Sequence, residues 1–313
     1  MSVAAKIAGF TAMLVAVFVG AAFAGAEVDP DIEGASKTHA GAEQMEQHET
    51  GGGAEAVPGL AVAEGGYRLV PDRTELAGSN ARFAFRIVDA GGQTVSDFDT
   101  EHARRMHLIV VRRDFVNFQH VHPAQLADGS WEAEVDLDPS GVYRAFADFS
   151  TEGRSLTLAT DLFAAGSFRP APLPPVEEVA DASDGYEVSL DSAGAEAGGS
   201  TPVSFTVRKD GQEVRSVEPY LGADGHLVAL REHDQAFLHT HPEGEPGGSG
   251  PISFDVEYPT EGRYRLFLQF RHRGQVRTAA FTQEVRETAE LRSDPSGLQE
   301  PSSDHGEEAG NGH

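Results

Sequence analysis

The 313-residue chain has no cysteine, three lysines and one tryptophan. Without cysteine there is no disulfide framework, thiol nucleophile, iron–sulfur cluster or thiolate zinc site, and no blue-copper centre, which needs a Cys ligand. The lysines are Lys6, Lys37 and Lys209, so arginine supplies 21 of the 24 positive charges against 50 acidic residues. A formal charge of −26 repels phosphate backbones and excludes nucleic acid as a partner. Also missing are a Gly-x-Ser-x-Gly elbow, a phosphate-binding glycine loop, a His-Glu-x-x-His helix and a nucleotide fingerprint. No reaction is legible, and the expectation is a protein that is not an enzyme.

Long apolar runs are absent too, with one exception at the N-terminus. After Lys6, Ile7 to Ala24 is an uncharged, mainly apolar stretch ending in Ala22-Phe23-Ala24, a small-x-small cleavage pattern. Residues 1–24 are therefore expected to be a signal peptide. The alternative is an uncleaved anchor, since 18 residues are borderline for spanning a bilayer. Either way the rest of the chain is expected outside the cytoplasm, secreted or attached to the envelope, touching a membrane only through that segment if it is retained.

What is plentiful is glycine (35), proline (17) and acid. Residues 25–65 hold nine acids, one lysine and few large apolar side chains, and are expected to be a disordered linker. Residues 287–313 form a similar acidic tail, and residues 168–184, with Pro170, Pro172, Pro174 and Pro175, a stiff connector. Between them lie residues 66–167 and 185–286, each with 10 basic and 15 acidic residues. They are copies of one another. His107-Leu108-Ile109-Val110-Val111 matches His226-Leu227-Val228-Ala229-Leu230, and Gly141-Val142-Tyr143-Arg144-Ala145-Phe146 matches Gly262-Arg263-Tyr264-Arg265-Leu266-Phe267.

Within each copy the apolar period is two, as in Phe83, Phe85 and Ile87 or Val203, Phe205 and Val207. Short strands divided by turns such as Ala90-Gly91-Gly92 give seven or eight strands in roughly 100 residues. Tyr143 and Tyr264 follow Pro-Ser-Gly and Thr-Glu-Gly in the manner of tyrosine corners. The expected fold is all-β: a tandem of two Ig-like or cupredoxin-like β-sandwich domains with disordered acidic arms.

Six of the 13 histidines fall into one pattern that occurs twice, His-x12-His-x-His-Pro. The first set is His107, His120 and His122; the second is His226, His239 and His241. On a strand, i and i+2 share a face, so the last two of each set stand side by side. A hairpin tip near Asp114 would bring His107 across from His120 and His122, where cross-strand Cβ atoms lie roughly 4.5–5.5 Å apart. Three converging imidazoles suit a divalent metal with bonds of about 2.0 Å, copper before zinc on raw affinity. One metal per copy is expected. Asp114 and Asp234 are weaker candidates, as ligands or as acceptors that orient an imidazole. Met106 faces the other side of its strand. Asp148 corresponds to Gln269, which argues against a shared catalytic carboxylate, and Arg112-Arg113 is expected to be a solvated strand end. The competing reading is a structural or adhesive Ig-like surface module, its histidines bonded to backbone carbonyls and its partner another envelope protein.

The segments from Met106 to Pro123 and from Tyr220 to Pro242 resemble a motif of two-copy, signal-bearing bacterial envelope proteins. These are frequent in actinobacteria and labelled as secreted or heavy-metal-binding. A similar segment occurs in adaptor subunits of heavy-metal efflux pumps, but this chain has none of their long helical hairpin or lipoyl-like segment. The resemblance covers both copies and implies metal binding in the cell envelope, for sequestration, tolerance or handover.

Overall fold

A computed structural model describes residues 58–287, apart from Ala77, Ala193 and His239. The expected signal, most of the N-terminal arm and the tail from residue 288 lie outside the described residues. No helix among them is long and apolar enough to cross a membrane.

Every regular element described is a strand. The first copy runs β1 (Ala63–Glu64), β2 (Tyr67–Pro71), β3 (Glu75–Leu76), β4 (Ala81–Val88) and β5 (His107–Arg112). It continues through β6 (Gln119–Val121), β7 (Ala124–Gln125), β8 (Trp131–Val135), β9 (Gly141–Thr151) and β10 (Arg154–Ala164). The second copy runs β11 (Val179–Asp181), β12 (Tyr186–Asp191), β13 (Ser200–Lys209), β14 (Gln212–Glu213) and β15 (Gly225–Arg231). Then come β16 (Phe237–Leu238), β17 (Thr240–Glu243), β18 (Ile252–Glu257), β19 (Gly262–His272) and β20 (Gln275–Val285).

Each copy is a two-sheet sandwich. In the first, β1-β2-β4-β8-β7 packs on β3-β10-β9-β5-β6; in the second, β11-β12-β13-β18-β17 packs on β16-β15-β19-β20. The strands pair antiparallel except β3, which runs parallel to β10. This division follows the immunoglobulin arrangement of one ABED-type and one GFC-type sheet. The period-two residues supply the cores: Phe83, Phe85 and Ile87 meet Trp131 and Tyr143 in one, and Val203, Phe205 and Val207 meet Phe254 and Tyr264 in the other. Both tyrosine corners form, with Tyr143 Oη donating to the Pro139 carbonyl at 2.6 Å and Tyr264 Oη to the Thr260 carbonyl at 2.8 Å.

A third core lies between the copies. On β5, Leu108 and Val110 point into their own sandwich, while Ile109 and Val111 point out of it. On β15, Leu227 and Ala229 point in, and Val228 and Leu230 point out. The outward residues meet one another together with Phe146, Phe237 and Phe267. The Phe118 ring stacks on Phe267 at 4.0 Å. The unbroken apolar runs of β5 and β15 are thus strands buried on both faces, each large apolar side chain contributing about 1.5–3 kcal/mol.

Pro58 to Glu64 and the end of the connector are more ordered than their composition implies. Pro58 to Ala61 runs across both copies: the Gly59 N–H donates to the Thr157 carbonyl, Ala159 N–H to Ala61, and Phe237 N–H to Pro58. Gly59 has φ +72° and lies so close to Phe237 and Phe146 that a Cβ would stand 2.7 Å and 2.9 Å from their carbons. Residues 58–64 therefore belong to the fold rather than to a linker, because their backbone groups find partners on β10 and β16. The connector likewise ends early, since β11 pairs with β12, and Leu173 packs on the shared core.

Candidate metal centre

The hairpin after β5 turns at Arg112 to Val116 and returns as β6, with Ile109 opposite His120 and Leu108 opposite Val121. His107 shares the outward face of Ile109 and Val111, so it and His120 look away from their own sandwich. Their Nδ1 and Nε2 atoms face each other at 3.0 Å. The His122 ring centroid lies 5.1 Å from that of His107 and 5.0 Å from that of His120. His226, the second residue of β15, lies on the face of Val228 and Leu230, so the docking of the two sheets carries it to the same point. Its ring stacks on His107 at 5.5 Å and lies 4.7 Å from His120. Each of His107, His120 and His226 offers a ligand atom within 4.8 Å of the other two.

The bonds to Glu101 and Gln269 favour one pair of tautomers. The Nε2–H of His107 donates to the Glu101 carbonyl at 3.2 Å, and the Nδ1–H of His120 donates to Gln269 Oε1 at 2.7 Å. A neutral imidazole has one N–H, so the two nitrogens that face each other both carry lone pairs. Burial disfavours charge on every member of the cluster. It holds His107 below the usual histidine value and His226 well below it, and with help from neighbouring imidazoles it pulls His120 down to about 3 and His122 to about 4. At neutral pH the cluster is uncharged, the state a metal requires.

The donor set fits such an ion. Two nitrogens bound to one centre at about 2.0–2.1 Å stand about 2.9 Å apart at a right angle and about 3.3 Å apart at the tetrahedral angle. The 3.0 Å between His107 and His120 falls in that interval. Nε2 of His122 is buried with no hydrogen-bond partner. Each anchoring bond, from His107 to a carbonyl and from His120 to a side-chain amide, is of the kind that orients metal-binding imidazoles.

The expectation of one set per copy is corrected by this geometry. His107, His120 and His122 do converge, and among the described residues His226 joins them rather than grouping with His241. In the first copy the chain stays beside β5 through Val121. In the second, β16 leaves β15 after Leu238 and β17 pairs with β18 in the other sheet, placing His241 opposite Asp255 and exposed to solvent. Thr240 marks the crossing: its hydroxyl donates to the Leu227 carbonyl at 2.7 Å, where the first copy has the strand pair Leu108–Val121. His239 lies outside the described residues. Asp114 and Asp234 are not ligands. Each folds back onto its own strand's arginine, Asp114 onto Arg112 at 2.7 Å and Asp234 onto Arg231 at 2.6 Å, as hairpin-tip residues. Arg112 is only 4% exposed and so is no solvated strand end. Met106 belongs to the first sandwich core.

Four contributors escaped the sequence pattern. Asp148 stands opposite His107 on β9, and Gln269 stands opposite His226 on β19. Their equivalence across the copies was visible, but their place beside the histidines was not. Burial lowers His107 and the Asp148 charge offsets part of that, while Thr157 Oγ1 donates to Asp148 at 2.8 Å. Glu101 supplies a carbonyl, which no sequence motif encodes. His102 is exposed, with its ring 6.1 Å from His107 and 5.6 Å from His226. It has no counterpart in the His-x12-His-x-His spacing.

Residues 61–166 and 180–287 each match the family described as "Domain of unknown function (DUF8832)", which together is more than half of the chain. The chain belongs to the DUF8832 family. The two DUF8832 units coincide with the two sandwiches. No curated protein matches the chain. Among solved structures, the chain is similar to FdeC, an Escherichia coli adhesin, at 13% identity and a TM-score of 0.25, over 72% of this chain and 65% of that one. It is also similar to InvD of Yersinia pseudotuberculosis, at 13% identity and a TM-score of 0.23, over 71% and 58%. A tandem of titin immunoglobulin domains gives 12% and 0.19, over 70% and 97%. The DUF8832 chain spans less than two thirds of the two bacterial structures, and overlap this low carries no argument about function.

Proposed function

We propose that this DUF8832 protein is an exported, non-enzymatic metal-binding protein of the cell envelope that holds one divalent ion between its two sandwiches. His107, His120 and His226 are the ligands, with His122 within reach. Copper is the favoured ion on the affinity order of nitrogen sites, and zinc the alternative. The role is sequestration, tolerance or handover of that ion. One observation carries this reading: ligand nitrogens of His107, His120 and His226 lie within 4.8 Å of one another in an uncharged cluster, with His107 Nδ1 and His120 Nε2 3.0 Å apart.

The test is calorimetric titration of Cu²⁺ and Zn²⁺ into the chain, beside His120→Ala and His226→Ala variants. One submicromolar site per chain, lost in either variant, is the expected result. Two independent sites would overturn the shared centre. Equal weak binding by all three proteins would end the metal reading. The bond from His107 to the Glu101 carbonyl is also what a purely structural histidine makes. That outcome would therefore leave an adhesive or structural envelope module.

A further inference from the structure

Beside the cluster lies a cleft of about 530 Å³, lined by Glu101, His102 and Asp148 of the first copy and by His241 and Glu257 of the second. Two of its walls are also walls of the cluster. Asp148 is the cross-strand neighbour of His107, and the His102 ring rests edge-on against both His107 and His226. His102 and Glu257 are exposed, whereas His107 is 2% exposed. An ion arriving from solvent thus meets carboxylates and exposed imidazoles before it meets the buried ones.

The placement of His102 is built into the backbone. It occupies a tight turn closed by reciprocal hydrogen bonds between Glu101 and Arg104, with φ +47° at His102 and +61° at Ala103. The second copy repeats the turn from Tyr220 to Ala223, with φ +55° at Leu221 and +85° at Gly222. Glycine meets that conformation at no steric cost, but the first copy holds it with two side-chain-bearing residues, at the position where an imidazole overhangs the cluster.

We infer that this cleft is the loading port of the metal site, and that His102 is the relay ligand that passes the ion from the port to the buried imidazoles. This rests on the metal reading above and adds a route to it. The port's carboxylates concentrate divalent cations, Arg104 being the opposing charge on the same turn. An exposed imidazole reorients in picoseconds to nanoseconds, far faster than ions arrive. A relay speeds approach and departure alike, so it alters rates without altering affinity.

Stopped-flow mixing of the full chain with Cu²⁺ tests this, using wild type, His102→Leu and Glu257→Gln. His102→Leu installs the side chain that the same turn carries in the second copy, so the turn keeps its form. The expected result is a fall of tenfold or more in both association and dissociation rates of His102→Leu, with the dissociation constant within threefold of wild type. Glu257→Gln lowers the association rate and flattens its dependence on salt. An unchanged association rate in His102→Leu overturns the relay. A dissociation constant raised tenfold or more at an unchanged association rate makes His102 a resident ligand, and also overturns it. If wild type takes up no copper, the metal reading falls and the port with it.

Discussion

Gln269 is the sharpest point at which to perturb the centre without touching a ligand. It is 7% exposed, accepts the His120 Nδ1–H at 2.7 Å and donates weakly to Thr278 Oγ1 at 3.4 Å. In Gln269→Leu the acceptor is gone, and His120 is free to move its proton to Nε2. There it points at His107 Nδ1, already at the hydrogen-bonding distance of 3.0 Å. The metal-free protein exchanges one neutral hydrogen bond for another, each worth about 0.5–1.5 kcal/mol, so its stability changes by less than about 1 kcal/mol. Metal binding must then reverse the tautomer and orient an untethered ring. Losing a partner of this kind costs about 10–100-fold in affinity, equivalent to about 1.4–2.7 kcal/mol. The assay is urea unfolding of wild type and variant, each with chelator and with saturating Zn²⁺. The midpoints should agree without metal and separate with it. Equal loss with and without metal would refute the tautomer argument and make Gln269 an ordinary packing residue. No loss in either condition would remove it from the site.

The cluster also predicts a pH dependence. His107, His120, His122 and His226 have folded values below their unfolded ones, so the unfolded chain binds more protons between pH 6.5 and about 3. Metal-free stability is therefore full above pH 6.5 and falls as the pH is lowered through that window, which urea midpoints at pH 7, 6 and 5 will show. Flat midpoints would mean that the imidazoles are not buried together. Phe267, stacked on Phe118 in the core between the copies, should cost about 3–5 kcal/mol when changed to alanine. That change should also split a single calorimetric transition into two, whereas one transition at a lower temperature would place the loss within a sandwich. Gly59→Ala puts a Cβ 2.7 Å from Phe237 at φ +72° and should destabilise by about 1–3 kcal/mol, read as a shift in the urea midpoint. A neutral effect would remove the Pro58–Ala61 segment from the interface.

Much of the fold was legible because it rests on local chemistry. Alternation in Phe83, Phe85 and Ile87 can be satisfied only by a half-buried strand, and the turn residues divide the chain at sandwich spacing. The tyrosine corners needed only a hydroxyl four residues from its acceptor. The docking of the copies was harder to see, because it depends on what a second surface offers. A signal for it was present: the runs from Leu108 to Val111 and from Leu227 to Leu230 break the alternation seen elsewhere, and a strand apolar on both faces must be covered on both. The connector and the Pro58–Ala61 segment were misjudged for a related reason. Composition reports what a segment can bury by itself, whereas the Pro58–Ala61 backbone is held by partners on β10 and β16 and the end of the connector by β12.

The histidines show how a repeat misleads. Equal spacing in two copies predicts two equal sites only if each copy presents its pattern to itself. Here the faces that carry His107 and His226 are the faces that dock. Docking brings His226 to the point where His107 and His120 already meet, so the described histidines of the two copies form one cluster. Once His226 serves the first copy's pair, nothing requires the second copy to keep its return strand beside β15. The chain there crosses to the other sheet, with Thr240 replacing a strand bond by a hydroxyl and His241 set out in solvent. Asp148 and Gln269 diverge on the same logic. One sits behind a histidine of its own copy, while the other reaches across the interface to a histidine of the first, and the two tasks call for different side chains. On the metal reading the asymmetry between the copies follows from a centre they share, and separating the sandwiches should abolish metal binding even where both remain folded.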